Sequence, residues 1–191
     1  MTRPPLTVHA RALGLAVFII VAYAAVEFAW HRPPICLCGT IKLWTGAVWS
    51  AENSQQVSDW YSLSHIIHGF LFYGAAWLVL PGKARNWALP LAVLVEGSWE
   101  LLENSPIIID RYRAATAAAG YSGDSILNSM SDIVFMMLGF AAARRLPWWA
   151  TVALALFFEL LALAVIRDNL TLNVLMLVHP IDAIRVWQAG G

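Results

Sequence analysis

Long apolar runs separated by short polar breaks cover most of the chain. The first run spans 12–30, and a polar stretch from His31 to about Asp59 follows it. A second run covers about 60–80 and stops at Pro81-Gly82, a strong breaker pair. The third lies at about 87–105, before Pro106, and a second polar stretch then reads as a loop from Pro106 to Gly123. A fourth run starts near Asp124, a good helix N-cap residue, and ends at Arg144-Arg145-Leu146-Pro147. The fifth begins at Trp148 and ends at Arg167-Asp168-Asn169. A spanning helix needs about 20 mostly apolar residues. The pattern therefore predicts an all-α, polytopic membrane helical bundle of about five transmembrane helices, forming one integral membrane domain over 1–191. Residues 170–178 are apolar but too few to span, and His179-Pro180 breaks them. They are expected to form an interfacial or re-entrant C-terminal segment, with a sixth span as the alternative.

Composition sharpens this picture. Hydrophobic residues make up 60% and charged residues 13%, against about 45–50% and about 25% in soluble proteins. A soluble globule of this size needs more polar surface, and a disordered chain is poor in apolar residues. Lys and Arg number 12, as do Asp and Glu, and no basic patch is dense enough for nucleic acid. Membrane lipids are the expected partners. Trp44, Trp49 and Trp60 suit a membrane interface. The first run is longer than the apolar region of a signal peptide and is read as an uncleaved helix. Cys36 and Cys38 are expected as free thiols in a loop, a Cys-x-Cys disulfide or a soft-metal site being the alternatives.

Charge orients the bundle. With the N-terminus inside, the inner segments hold Arg3, Arg11, Lys83, Arg85, Arg144 and Arg145; the outer ones hold Arg32, Lys42, Arg111, Arg113, Arg167 and Arg185. The counts tie. The inner connections are short and poor in acids, and short loops weigh most, so a cytoplasmic N-terminus is expected.

That orientation gathers polar residues at one level. His65 and His68 share a helix face with Tyr61. Glu96, Glu100 and Glu103 form a stripe on the third helix; Asp124, Asn128, Ser131 and Asp132 form another on the fourth. At about 1.5 Å per residue, the histidines lie roughly 8–12 Å inside their helix, Glu100 roughly 8 Å, Glu96 roughly 14 Å and Asp132 roughly 12 Å. All are measured from ends on the outer side. Buried ionisable groups cost about 2.5–3.5 kcal/mol each on insertion scales, so they must face one another, a cation or water.

Histidine with carboxylates suits zinc, manganese or iron. His65 and His68 are the candidate metal ligands, completed by Glu100, Glu103, Asp124 or Asp132. Those four acids are also the candidate catalytic groups, and Glu100 with Asp132 could share a proton without a metal. Arg111, Arg113, Asn104 and Asn128 are the candidate substrate-binding residues, the arginines for a phosphate or carboxylate. Glu159 reads as a lone mid-helix acid, a proton carrier or a cross-helix bond. Glu27 is expected to reach the interface, and Trp99 and Gly97 to serve packing alone.

Two stretches carry a resemblance. Ser64-His65-x-x-His68, the Glu96-Glu100-Glu103 stripe and Gly123-Asp124-Ser125-x-x-Asn128-Ser129-x-x-Asp132 with Gly139 resemble VanZ-like membrane proteins. More closely, Trp99-Glu100-x-x-Glu103-Asn104-Ser105-Pro106, Asp110-Arg111-Tyr112-Arg113-Ala114 and Arg167-Asp168-Asn169-Leu170-Thr171-Leu172-Asn173 resemble an uncharacterised family of bacterial inner-membrane proteins. The close likeness covers nearly everything after about His31 and implies no assigned activity. The wider one implies a link to glycopeptide (teicoplanin) resistance and envelope phenotypes, with no established catalytic residue. Together these point to an inner-membrane protein with a polar outer-leaflet site. One expectation is a metal-dependent enzyme acting on a lipid headgroup or lipid-linked envelope precursor. The alternative is a lipid-binding, proton-relay or scaffold protein.

Overall fold

The computed structural model describes residues 10–116 and 120–190; Arg3 lies outside them. They form eight α-helices: α1 (Ala10–Ala29), α2 (Ser62–Val79), α3 (Ala88–Glu103), α4 (Pro106–Ala115), α5 (Ile126–Arg145), α6 (Trp148–Ile166), α7 (Leu170–Val178) and α8 (Asp182–Gln188). No strand occurs among the described residues.

Four helices, α1, α2, α5 and α6, are long and apolar enough to cross a membrane, rather than about five. The difference is α3, whose 16 residues include three glutamates. A 3-10 turn, Gly82–Trp87, takes up the start of the apolar run and shortens the helix. The second polar stretch is not a plain loop: Pro106 opens α4, and the Ser105 hydroxyl caps it by accepting from Ile108 N. Ser125, not Asp124, caps α5 by accepting from Asn128 N. The C-terminal stretch is split into helices of 9 and 7 residues, neither long enough to span.

The centre of the bundle is the crossing of α2 and α5. A Cβ on Gly69 would meet the Met136 carbonyl and the backbone of Gly139 and Phe140, and one on Gly139 would meet the Ile66 carbonyl. Small residues let two backbones approach this closely. Phe70, Tyr73, Val93, Ile133, Met136 and Phe140 fill the core around them. On the other flank α1 packs on α3. There the Tyr23 ring lies over Gly97, and its hydroxyl donates to the Leu94 carbonyl at 2.9 Å with Ser98 Oγ at 2.8 Å. Phe18, Val21, Leu71, Leu78, Leu138 and Leu160 face outward, as suits lipid.

Glu159 is no free mid-helix acid. Its carboxylate accepts from Leu170 N at 2.9 Å, Thr171 N at 3.1 Å and Thr171 Oγ1 at 2.5 Å. It thereby satisfies N–H groups that open α7, while Asn169 Oδ1 accepts from Leu172 N at 2.8 Å. The chain turns sharply at Arg167, in the left-handed region at φ 55°, so that the start of α7 meets Glu159 on α6 while the helix packs against α4.

Two outcomes follow. Gly139→Ala is expected to cost about 1–3 kcal/mol because its methyl meets backbone that cannot swing aside. Gly74→Ala, with open space around it, is expected to cost nothing; thermal unfolding in detergent micelles compares the two. Glu159→Ala is expected to cost about 1 kcal/mol, by analogy with a lost N-cap. It should speed hydrogen exchange at Leu170 and Thr171 but leave α5 amides unchanged.

Candidate functional site

The helix ends that carry polar residues meet at one end of the bundle: the starts of α2 and α5 and the ends of α1, α3 and α6. The long polar stretch between α1 and α2 folds over them. It pairs Thr45 N with the Ser58 carbonyl (3.0 Å) and Val57 N with the Lys42 carbonyl (3.1 Å). It then serves the start of α5: Ile126 N donates to the Pro33 carbonyl at 2.9 Å, Leu127 N to Pro34 at 3.1 Å and Ser125 N to Ser54 at 3.1 Å. Asp59 accepts from Ser54 N at 3.0 Å and Tyr61 N at 2.8 Å, which pins the entry into α2. In this covering stretch Cys36 and Cys38 are joined as a disulfide, not left as free thiols.

Beneath this cover lies a cavity of about 170 Å³. Its wall includes His65, His68, Glu103, Asp124, Asp132 and Asp168, and no Lys or Arg among the described residues. Asn128 and Trp99 belong to the wall as well.

His65 and His68 meet as their spacing predicts, with ring centroids 5.2 Å apart. Their acidic partner is Glu96. His65 Nδ1 lies 2.6 Å from Glu96 Oε1, and His68 Nδ1 lies 3.0 Å from each Glu96 oxygen. The acids expected to complete this set take other positions. Glu100 Oε1 is 3.5 Å from His65 Nδ1, and Asp132 Oδ2 is 3.7 Å from His65 Nε2 while Oδ1 accepts from Ser62 Oγ at 3.1 Å. The nearer partner is Glu96 because α3 crosses α2 with that residue turned toward the histidines.

Two sets of donor atoms are spaced so that they can hold a metal ion: His65, His68 and Glu96, and separately Glu100, Glu103 and Asp124. Within each set the atoms lie within 4.8 Å of one another. Asn104 supports the second set from behind. Its Nδ2 lies 3.1 Å from Asp124 Oδ2, from the Glu100 carbonyl and from Ser129 Oγ, and its Oδ1 accepts from Asp124 N at 2.6 Å. Asn104 is thus a positioning residue outside the cavity wall. Asn128 Nδ2 donates to the Gln56 carbonyl at 3.0 Å, fastening the cover.

Neither arginine proposed for a headgroup lines the cavity. Arg111 Nε donates to the Leu177 carbonyl at 2.8 Å, closing the end of α7. Arg113 Nε donates to the Tyr121 carbonyl at 2.6 Å, with Asp110 at 3.6 Å. Arg32 binds the carbonyls of Asp124 and Ser122, packed against Gly123 in the left-handed region at φ 80°. Arg167 binds the Trp187 carbonyl at 2.9 Å. These cations satisfy helix ends and turns.

Glu27 was missed. Its place near a helix end reads as interfacial, yet it is fully buried, and neither carboxylate oxygen has a hydrogen-bond partner among the described residues. A 3.6-residue period cannot find it, because α1 is apolar around its whole circumference.

Outside the spans, burial pushes Asp124 up to about 6 against the pull of the Tyr121 hydroxyl, which donates to it at 2.8 Å. Burial likewise pushes Asp168 up to about 6, opposed by the Asn169 N–H and by the Tyr61 hydroxyl at 3.2 Å.

A family model for a protein of unknown function, DUF2585, matches residues 27–190. Similar proteins include a UPF0314 protein of Sphingopyxis alaskensis, 59% identical over 177 residues (93% of this chain, 94% of that one). A UPF0314 protein of Novosphingobium aromaticivorans is 61% identical over 184 residues (94% and 90%). One from Paracoccus denitrificans is 53% identical over 176 residues (92% and 91%). These matches support the close resemblance and carry nothing about VanZ-like proteins. No solved structure matches.

Asp168 yields a pH prediction. Its folded value, about 6, lies above its usual 3.8. The native state therefore binds this proton more tightly than the unfolded chain does. Its contribution to stability is full below about pH 4 and lost as pH rises through about 6. Asp168→Asn is expected to flatten the fall in melting temperature between pH 4.5 and 7; an unchanged slope refutes the assignment.

Proposed function

We propose that this chain, which belongs to the DUF2585 family of proteins of unknown function, is a bacterial inner-membrane protein that works through a metal-loaded histidine–carboxylate cavity. In this reading the cavity lies in the outer half of the bilayer and acts on the polar end of a lipid or lipid-linked envelope precursor. The observation that carries the reading is the fully buried Glu96 carboxylate held between the Nδ1 atoms of His65 and His68 at 2.6 and 3.0 Å. Two imidazole nitrogens and a carboxylate at such spacing are a ligand set for zinc, manganese or iron.

The wall supports a cation for a second reason. Glu103, Asp124, Asp132 and Asp168 line the cavity and repel an anionic headgroup unless positive charge is added. A bound cation would supply that charge and polarise an ester or phosphoester oxygen. The chain's own groups do the rest. Asp132, beside His65 Nε2, holds or passes a proton. Val48, Trp49, Ile166, Leu170 and Val174 give the same cavity an apolar side suited to a lipid stem.

The outward placement rests on the clustering of Lys83, Arg85, Arg144 and Arg145 at the opposite end. The disulfide in the cover belongs with an oxidising compartment.

The test uses the full chain in nanodiscs of phosphatidylethanolamine and phosphatidylglycerol, loaded with Zn²⁺ or Mn²⁺. Native mass spectrometry is expected to find a bound ion that is lost in His65→Ala/His68→Ala. Lipid mass spectrometry is expected to find metal-dependent headgroup change that falls at least tenfold in His68→Ala. A wild-type protein that binds neither ion overturns the reading. Bound ion without headgroup chemistry overturns the enzyme and leaves a metal-dependent lipid-binding protein.

A further inference from the structure

The buried end of this bundle holds more carboxyl groups than one cation answers. Glu27, Asp59, Glu96, Glu100, Asp124 and Asp132 are all buried, and His65 is the only His, Lys or Arg among the described residues that is buried with them. Asp59 is satisfied by main-chain N–H groups. Glu96 has both histidines. Glu100 differs: it is 1% exposed, and its Oε1 finds no hydrogen-bond partner among the described residues.

Glu100 also links the two donor sets. Its Oε1 lies 3.5 Å from His65 Nδ1, the atom that sits 2.6 Å from Glu96 Oε1. The same carboxylate belongs with Glu103 and Asp124, whose ligand atoms lie within 4.8 Å of it and of each other. The sets therefore adjoin through a carboxylate with an unfilled oxygen. Arg32 is turned to the main-chain carbonyls of Asp124 and Ser122, and no Lys or Arg among the described residues forms an ion pair with Glu100, Glu103 or Asp124.

We propose that the buried acidic end of the bundle, beside the cavity that His65, His68, Glu103 and Asp124 line, holds two divalent cations side by side. One is bound by His65, His68 and Glu96, the other by Glu100, Glu103 and Asp124, and Glu100 stands between them. The first set, two nitrogens and a carboxylate, suits Zn²⁺, Mn²⁺ or Fe²⁺; the second, all oxygen, suits Mn²⁺ or Mg²⁺. Paired cations about 3.5–4 Å apart clamp an anionic oxygen ligand between them. The ligand class is thus narrowed to a phosphoester or carboxylate group presented at the cavity. This rests on the metal reading above for its first ion and goes beyond it for the second.

The experiment counts metal in the full chain equilibrated with Mn²⁺ alone, by native and inductively coupled plasma mass spectrometry. Electron paramagnetic resonance of the same samples reads whether the ions interact. The wild type is expected to hold two ions with an exchange-coupled signal. Glu103→Gln is expected to hold one, with an isolated six-line signal, and His65→Ala/His68→Ala also one. Asp124→Asn should match Glu103→Gln. Since Asp124 also bonds Asn104, the half-buried Glu103 is the primary variant, with its melting temperature as the folding control. One ion in the wild type, kept in Glu103→Gln and lost in His65→Ala/His68→Ala, overturns the second site and leaves the first standing. No ion in the wild type overturns both. Two ions retained in folded Glu103→Gln overturn the proposed ligand set.

Discussion

Carboxylates buried at one level of a membrane bundle must be answered there, because neither lipid nor deep protein solvates their charge. At about 2.5–3.5 kcal/mol apiece on insertion scales, several such groups outweigh the net stability of an ordinary domain unless they are paired, protonated or bound to a cation. Much of the architecture at this end of the molecule follows. The stretch between α1 and α2 brings N–H groups to Asp59 and carbonyls to the start of α5. Asn104 holds Asp124, and Glu96 takes both imidazoles. The oxygens left over, on Glu27 and Glu100, lie beside this network.

Close helix crossings bring these groups together. Gly69 and Gly139 let α2 and α5 touch backbone to backbone, so that Asp132 reaches His65 Nε2 across the contact. Tyr23 over Gly97 holds α1 to α3. A methyl at either crossing would push apart helices that carry these buried polar groups, so stability and the placement of those groups depend on the same small residues. The amphipathic C-terminal piece is tied down through its ends: Glu159 at the start of α7 and Arg111 at its finish.

Polar residues of one type serve different ends here. Arg111 and Arg113 have the right chemistry for a phosphate, yet each is turned to a main-chain carbonyl. A helix terminus in an apolar setting leaves carbonyls as costly as any headgroup to desolvate, and a guanidinium with five donors answers them well. The cavity is consequently acidic without a fixed cation in its described wall.

The pattern of apolar runs marks the chain as a helical membrane bundle, places α1, α2, α5 and α6 to within a few residues while reading α3 as a further span, and puts His65, His68, the α3 glutamates and Asp132 at one level. Apolar run length sets the spans, and a rise of about 1.5 Å per residue converts position into depth. Periodicity also put His65 with His68 on one face. It left open how far each helix turns about its own axis. That rotation, decided by the Gly69–Gly139 and Tyr23–Gly97 contacts, made Glu96 rather than Glu100 the histidines' nearer partner. Tertiary structure alone also buried Glu27 on an all-apolar helix, gave Glu159 to α7 and turned the arginines to main-chain carbonyls. A local pattern records depth and face, whereas partners depend on which faces meet.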